Sequence, residues 1–302
     1  MAETRGFRKS HSPIVYYMFV HKAFNVNLEH LKRIMFTQME VLARLTRIRA
    51  YLLTLFSIIP LIFLISPQDL FSPRTAIVFL ANLFLTAFVY AFNDLEDAAD
   101  DFNILEKRKR NPIANGDLTR AQGYLISSLL LLIGLLLLVV ISPLVFFFGL
   151  VLAFVGFLYS WKPVRFKSMP FVDLISHVIC LGVLQFFITY LTFRSFDPFV
   201  IPFLMIIVPF SLMIEILFEL RDFNVDKKTN IRNTIQRLER FDIKKLLFAL
   251  GIIAIIGFAI IFFTIPSDCK IVILTGSIFL AIVIISKVNK LLKLYSSRTS
   301  FR

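Results

Sequence analysis

Apolar residues fall in long blocks along this chain, with polar residues collected between them. The blocks run at Tyr51–Ile65, Ala76–Phe92, Gly123–Ile141, Leu144–Ser160, Phe171–Thr192, Phe199–Leu217, Leu246–Ile265 and Ile271–Ile285. Most approach the roughly 20 residues that a helix needs to cross the hydrocarbon core of a bilayer. The pattern predicts eight transmembrane helices, the first of them short, with a tight hairpin at Ser142-Pro143 joining the third and fourth. The fold class expected is an all-α, multi-pass helical bundle.

Composition agrees with that reading. Of 302 residues, 58% are hydrophobic, 15% aromatic (35 of them Phe) and only 18% charged, far from an ordinary soluble domain. The net charge of +13 is explained by where the bases fall. Lys and Arg accumulate in cytoplasmic loops, and with the N-terminus inside, 30 of the 33 lie on that side; the other side holds only Arg74, Arg194 and Lys270. An even number of spans with both termini inside fits this bias, which replaces a nucleic-acid footprint as the reason for the charge. The basic inner surface should attract anionic headgroups. Residues 1–45 show no signal peptide; Leu28, Leu31, Met35, Leu42 and Leu45 recur at helical spacing and predict an amphipathic helix on the inner interface. Residues 46–302 then form a single transmembrane domain. Cys180 and Cys269 are expected at different depths, so no disulfide or metal framework follows from them.

Chemistry enters at VYAFNDLEDAADDFNILEKRKRNPIANG, Val89 to Gly116, where five acidic residues stand within nine and a run of bases follows. At about 100° per residue, Asp94, Asp97 and Asp101 fall within a sector of about 60°, with Asn93 beside them. Crowded carboxylates raise one another's proton affinity unless a cation lies between them. An all-oxygen set suits Mg²⁺, which completes its coordination with water and substrate phosphates. The implied substrate is a phosphate ester.

A second segment, FELRDFNVDKKTNIRNTI, repeats the spacing. Glu219, Asp222 and Asp226 stand at the same intervals, and RNTI at Arg232–Ile235 echoes RNPI at Arg110–Ile113. The two halves read as a diverged duplication about an axis along the membrane normal. One acidic run after a span reads as a solvated loop, but solubility does not require the spacing to repeat. A cation-coupled transporter is the alternative reading; it would place carboxylates near the bilayer midplane, whereas these six cluster at the inner helix ends.

These residues resemble the UbiA-type intramembrane prenyltransferases. The family signature N-D-x-x-D-x-x-x-D matches Asn93, Asp94, Asp97 and Asp101, and its D-x-x-x-D motif matches Asp222 and Asp226, with Glu219 where many members have aspartate. RNPIANGDLT is similar to the family loop R-P-x-x-x-G-x-[LI]-[ST], with Asn111 inserted between Arg110 and Pro112. The resemblance spans about Leu45 to Ile285 and departs in helix count, since the family usually has nine against the eight runs found here. It implies a two-halved bundle around a central cavity on the cytoplasmic side of the cell membrane. It also implies an enzyme that uses Mg²⁺ to move an isoprenyl group from a prenyl diphosphate to an aromatic or lipid-like acceptor through an allylic carbocation. Asp94, Asp97, Asp101, Glu219, Asp222 and Asp226 would hold the metal, and Asp94, Asp97, Asp222 and Asp226 would be catalytic. Asn93, Lys107, Arg110, Lys227, Lys228 and Arg232 would meet the diphosphate. No obligatory protein partner is implied.

Further candidates follow the fourth run. In YSWKPVRFKSMPFVD the family often has Tyr-Ser and bases, which makes Tyr159, Lys162, Arg165 and Lys167 candidates for phosphate contact or closure; a belt of interfacial anchors is the competing reading. Asp173 and His177 lie one turn apart in the fifth run, where ionisable groups face the bundle interior. They either pair with each other or orient the acceptor. Arg47 and Arg49, before the first run, could reach phosphate, but positive-inside anchoring is the favoured reading.

Overall fold

The computed structural model describes residues 35–228, 233–238, 240–266, 270, 271 and 274. The chain divides into two compact units, Met1–Arg44 and Leu45–Arg302. In the first, residues 35–44 are helical. The second is built of helices joined by turns and short loops, without a strand among the described residues.

Among the described residues, six helices in it are long and apolar enough to span a membrane: Pro73–Asp101, Arg120–Val139, Pro143–Ser160, Val172–Phe193, Val200–Phe223 and Ile243–Thr264. The expected count of eight is not reached among these residues. The predicted first span is instead two short helices, Ile48–Phe56 and Ile58–Ile65. Pro60 explains the break, because its ring lacks an N–H and collides with the carbonyl four residues back, at Phe56. The predicted last span, Ile271–Ile285, lies outside the described residues except for Ile271 and Leu274, as do Leu28, Leu31 and Cys269.

Two helices carry the acidic motifs, and each is 29 residues long. At about 1.5 Å per residue such a helix outruns a hydrocarbon core of about 30 Å, so its last turns emerge at the interface. The first acidic helix, Pro73–Asp101, starts on a Ser72 cap whose hydroxyl accepts from Thr75 N at 3.3 Å, with Pro73 in the first turn. Asp94 stands 21 residues further on, roughly 32 Å along the axis. The second, Val200–Lys228, carries Asp222 a similar number of residues, 22, beyond its start.

The first acidic helix is central. Its apolar positions Val78, Ala81, Leu85, Ala91 and Leu95 are fully buried, and the Arg120–Val139 and Pro143–Ser160 hairpin packs on it. Close approach depends on small residues, as is usual between membrane helices: a Cβ at Gly134 would lie 2.9 Å from the Leu85 side chain, and one at Gly156 2.5 Å from Val89. The hairpin turn forms as expected, with Ser142 capping the second arm through Val145 N at 3.2 Å. On another side of the first acidic helix, Asn82 donates to Thr189 at 3.4 Å and Gln185 to Thr86, binding that helix to the Val172–Phe193 span in the middle of its apolar stretch. The Val172–Phe193 span itself changes winding, from an α-helix at Val172–His177 through a π-helix at Val178–Leu184 to an α-helix at Gln185–Phe193.

Candidate active site

The last turns of the first acidic helix hold their carboxylates on basic and amide partners. Asp94 is completely buried, and its Oδ1 pairs with the Arg47 guanidinium while Oδ2 has no partner. Arg47 sits beside the Tyr90 ring, 5.7 Å from its centroid, and Tyr90 stacks on Tyr51 at 5.3 Å. Arg47 is thus a site residue rather than only a membrane anchor. Nothing in helical periodicity shows this, because the pair closes across 47 positions.

Asp97 receives two cations. Arg165 Nη2 donates to Oδ1 at 2.9 Å and Lys167 Nζ to Oδ2 at 2.6 Å, with Lys167 also 3.3 Å from Asn93 Oδ1. Arg165 reaches Asp100 as well, at 2.7 Å, and Lys162 Nζ lies 3.7 Å from the other Asp100 oxygen. Burial is the largest influence on the Lys167 ammonium and holds its pKa below the usual lysine range, with Asp97 opposing. Beside this end, Phe92, Phe157 and Trp161 stack in series at 5.0 and 5.2 Å.

Asp101 is tied to the following loop. Asn111, fully buried, donates its amide to the Asp94 carbonyl at 2.7 Å and to Asp101 Oδ2 at 3.0 Å. Its own carbonyl oxygen accepts from Ile113 N and Ala114 N, capping the short Pro112–Asn115 helix, which ends on Gly116 at φ +87°. The residue that interrupts the family loop pattern therefore fastens that loop to the first motif.

The second acidic helix is held differently. Glu219 Oε2 accepts from Ile235 N at 3.0 Å, and its Oε1 is buried without a partner. Asp222 is gripped by Arg221 through two bonds of 2.8 and 2.7 Å. Asp226, Lys227 and Lys228 lie on the described helix with side chains outside the described residues, and Arg232 lies outside them altogether. Arg110 connects the two motifs electrostatically. Arg47 first, and burial second, pull its pKa below the usual arginine range, while Asp94, Asp222 and Asp101 oppose them. Lys107 lies within electrostatic reach of Asp101 and Asp222 too.

Tyr159 and His177 gather around a carboxylate that sequence reasoning missed, Glu215. Tyr159 donates to Glu215 Oε1 at 3.0 Å, and His177 Nδ1 lies 2.9 Å from Oε2. Asp173 does not pair with His177. It accepts from Thr234 N at 2.6 Å and from the Thr234 hydroxyl.

Among the described residues, no three acidic, His or Cys side chains form a ready metal cage. The donor chemistry nevertheless suits a hard cation. It is all oxygen, and one buried carboxylate oxygen on each acidic helix, at Asp94 and Glu219, lacks a partner.

The fold has counterparts. A UbiA homolog from Archaeoglobus fulgidus, solved with GPP and Mg²⁺, superposes with a TM-score of 0.68 at 21% identity, covering 86% of this chain and 96% of that one. A UbiA homolog from Aeropyrum pernix K1, solved in its apo form, gives 0.63 at 11% identity over 85% and 93%. A structure described for digeranylgeranylglyceryl phosphate synthase gives 0.57 at 19% identity over 86% and 95%. Comparison with curated proteins by sequence gives no match. The characteristic pattern of the UbiA prenyltransferase family matches residues 52–301, and the chain belongs to that family.

Proposed function

We propose that this protein transfers an isoprenyl group from a prenyl diphosphate to a hydrophobic or aromatic acceptor, with Mg²⁺ bound between the two acidic helices. The observation that carries this reading is the pairing of carboxylates and cations at those helix ends, with Arg110 under the influence of both motifs and a partnerless buried oxygen on each helix. A transporter would need its carboxylates near midspan. Here the motif acids stand at helix ends among bases.

Asp94, Asp97, Asp101, Glu219, Asp222 and Asp226 are the residues that would hold the metal, and Asp94, Asp97, Asp222 and Asp226 carry the catalytic requirement. When bound, Mg²⁺ neutralises the diphosphate and stabilises it as a leaving group. The chain's own cations do the rest. Arg47, Arg165, Lys167 and Arg221 neutralise these same acids, and each is placed to turn from carboxylate to diphosphate oxygen as charge develops there. Asn93, Lys107, Arg110, Lys162, Lys227, Lys228 and Arg232 complete the basic surround. Tyr159, Glu215 and His177 lie on the acceptor side. The apolar and aromatic wall excludes the water that would quench a carbocation.

The reaction reading is tested by diphosphate release from the purified protein in Mg²⁺, with geranyl and longer prenyl diphosphates against a panel of aromatic, quinone-precursor and glycerol-phosphate acceptors. Release that depends on one acceptor class, with prenylated product by mass spectrometry, is expected; no product with any pairing would contradict it. The site is placed on the cytoplasmic face, from the distribution of bases. In a background lacking Cys180 and Cys269, cysteines at Asp117 and Arg237 are expected to label only from inside. Labelling of the two from opposite faces would overturn the topology.

A further inference from the structure

The connector between the Pro143–Ser160 and Val172–Phe193 spans reaches the first acidic helix at one end and the segment that follows the second acidic helix at the other. Near its start, Lys162 N donates to Glu96 at 3.1 Å, and Arg165 and Lys167 hold Asp97. At its far end, Asp173, 1% exposed, meets the segment that follows the second motif. Three donors converge on its carboxylate: Thr234 N at 2.6 Å on Oδ2, and the Thr234 hydroxyl and Leu174 N, the latter at 2.7 Å, on Oδ1. The Thr234 oxygen in turn accepts from Phe171 N at 2.6 Å, and the next residue, Ile235, donates its N–H to Glu219. Phe171 holds a backbone of positive φ, +70° with ψ −35°, a sparsely populated conformation for a non-glycine residue, and its N–H bond to Thr234 is part of what keeps it there.

We propose that Asp173 is a positioning residue: through Thr234 and Ile235 it fixes Glu219, and with it the second acidic motif, at a set distance from the first motif held by Arg165 and Lys167. The inference rests on the prenyl diphosphate reading above. Its physical basis is the donor count. A carboxylate can accept from all three donors at once, and charge-assisted bonds of this kind are about twice as strong as neutral ones. An asparagine can accept at only one of its two terminal atoms; its amide N–H₂ would face a donor. Asp173 also lies directly against the Glu219 carboxylate, and it is engaged entirely within the protein, so it acts on substrate only through what it holds.

Three variants of the full-length protein in detergent test this: Asp173→Asn, Thr234→Val and Thr234→Ser. The first readout needs no metal. In EDTA, trypsin is expected to cut at the exposed Arg237 faster in Asp173→Asn and Thr234→Val than in wild type, while Thr234→Ser, which keeps the hydroxyl and amide, matches wild type. The second is the Mg²⁺ concentration that half-saturates binding of geranyl S-thiolodiphosphate, which resists ionisation. Residues that orient ligands from behind typically alter metal affinity by about 10–100-fold, so Asp173→Asn and Thr234→Val should raise this concentration by that factor, while Thr234→Ser keeps the wild-type value. Should Asp173→Asn fail to fold, Thr234→Val carries both readouts. Wild-type cleavage at Arg237 together with unchanged Mg²⁺ demand in Asp173→Asn and Thr234→Val overturns the inference. Wild-type protein that binds no analogue even with Mg²⁺ overturns the function proposed above, and the trypsin result then still decides whether Asp173 anchors the segment.

Discussion

Asp97→Asn and Asp222→Asn should each lower prenyl diphosphate turnover by about 10²–10³, the usual loss when one catalytic electrostatic contact is removed. Asparagine keeps the size of the side chain and much of its hydrogen bonding. What disappears is one negative charge that would hold the metal and, at Asp97, the charge that holds Arg165 and Lys167 in place. Residues acting as one unit give strongly non-additive losses. The double variant is therefore expected to be little worse than the worse single one. Diphosphate release by both singles and the double measures this, and near-wild-type turnover in either single variant, or strictly multiplicative losses, would contradict a site shared by the two helices.

Replacing Arg47 should have the largest effect on stability. The guanidinium is 17% exposed and its partner Asp94 0%, which makes this a buried pair, and removing one member of such a pair typically costs about 3–5 kcal/mol because the other charge is stranded. Arg47→Met keeps the apolar stem that lies beside Tyr90 and removes the charge. Thermal unfolding in detergent should show a large drop in midpoint for Arg47→Met and substantial recovery in Arg47→Met combined with Asp94→Asn, where no charge is left unpaired. A single variant as stable as wild type would mean that Asp94 draws its stability from elsewhere.

The periodic features of the fold are legible in the amino-acid sequence. Apolar runs locate the spans, Ser142-Pro143 marks the hairpin, and the first acidic helix continues to Asp101, as the three-acid face requires. The break in the first run is missed by a count of apolar residues, which takes Tyr51–Ile65 as one short span although Pro60 interrupts it. The partners of the acids are not legible in the same way. Arg47 meets Asp94 across 47 residues, Thr234 meets Asp173 across 61 and Tyr159 meets Glu215 across 56. These are tertiary choices among several bases and hydroxyls of similar sequence character. Spacing identifies which residues share a helix face and leaves open what faces them. Glu215 escapes notice for the same reason: it lies one turn before Glu219, outside the repeated interval. Asn111 reads in sequence as an interruption of the loop pattern, whereas in the fold its amide holds Asp101 and the Asp94 carbonyl.

The central claim is that the two acidic helices bind a diphosphate only with a divalent cation between them. Isothermal titration of the purified protein with geranyl S-thiolodiphosphate tests it most directly, first in Mg²⁺ and then in EDTA. Binding in Mg²⁺ that EDTA abolishes, and that Asp94→Asn and Asp222→Asn each weaken, is the predicted result. Equal affinity in EDTA would contradict it, because a diphosphate held without metal must sit on Arg47, Arg110, Arg165 and Lys167 alone, leaving the matched carboxylates without a role.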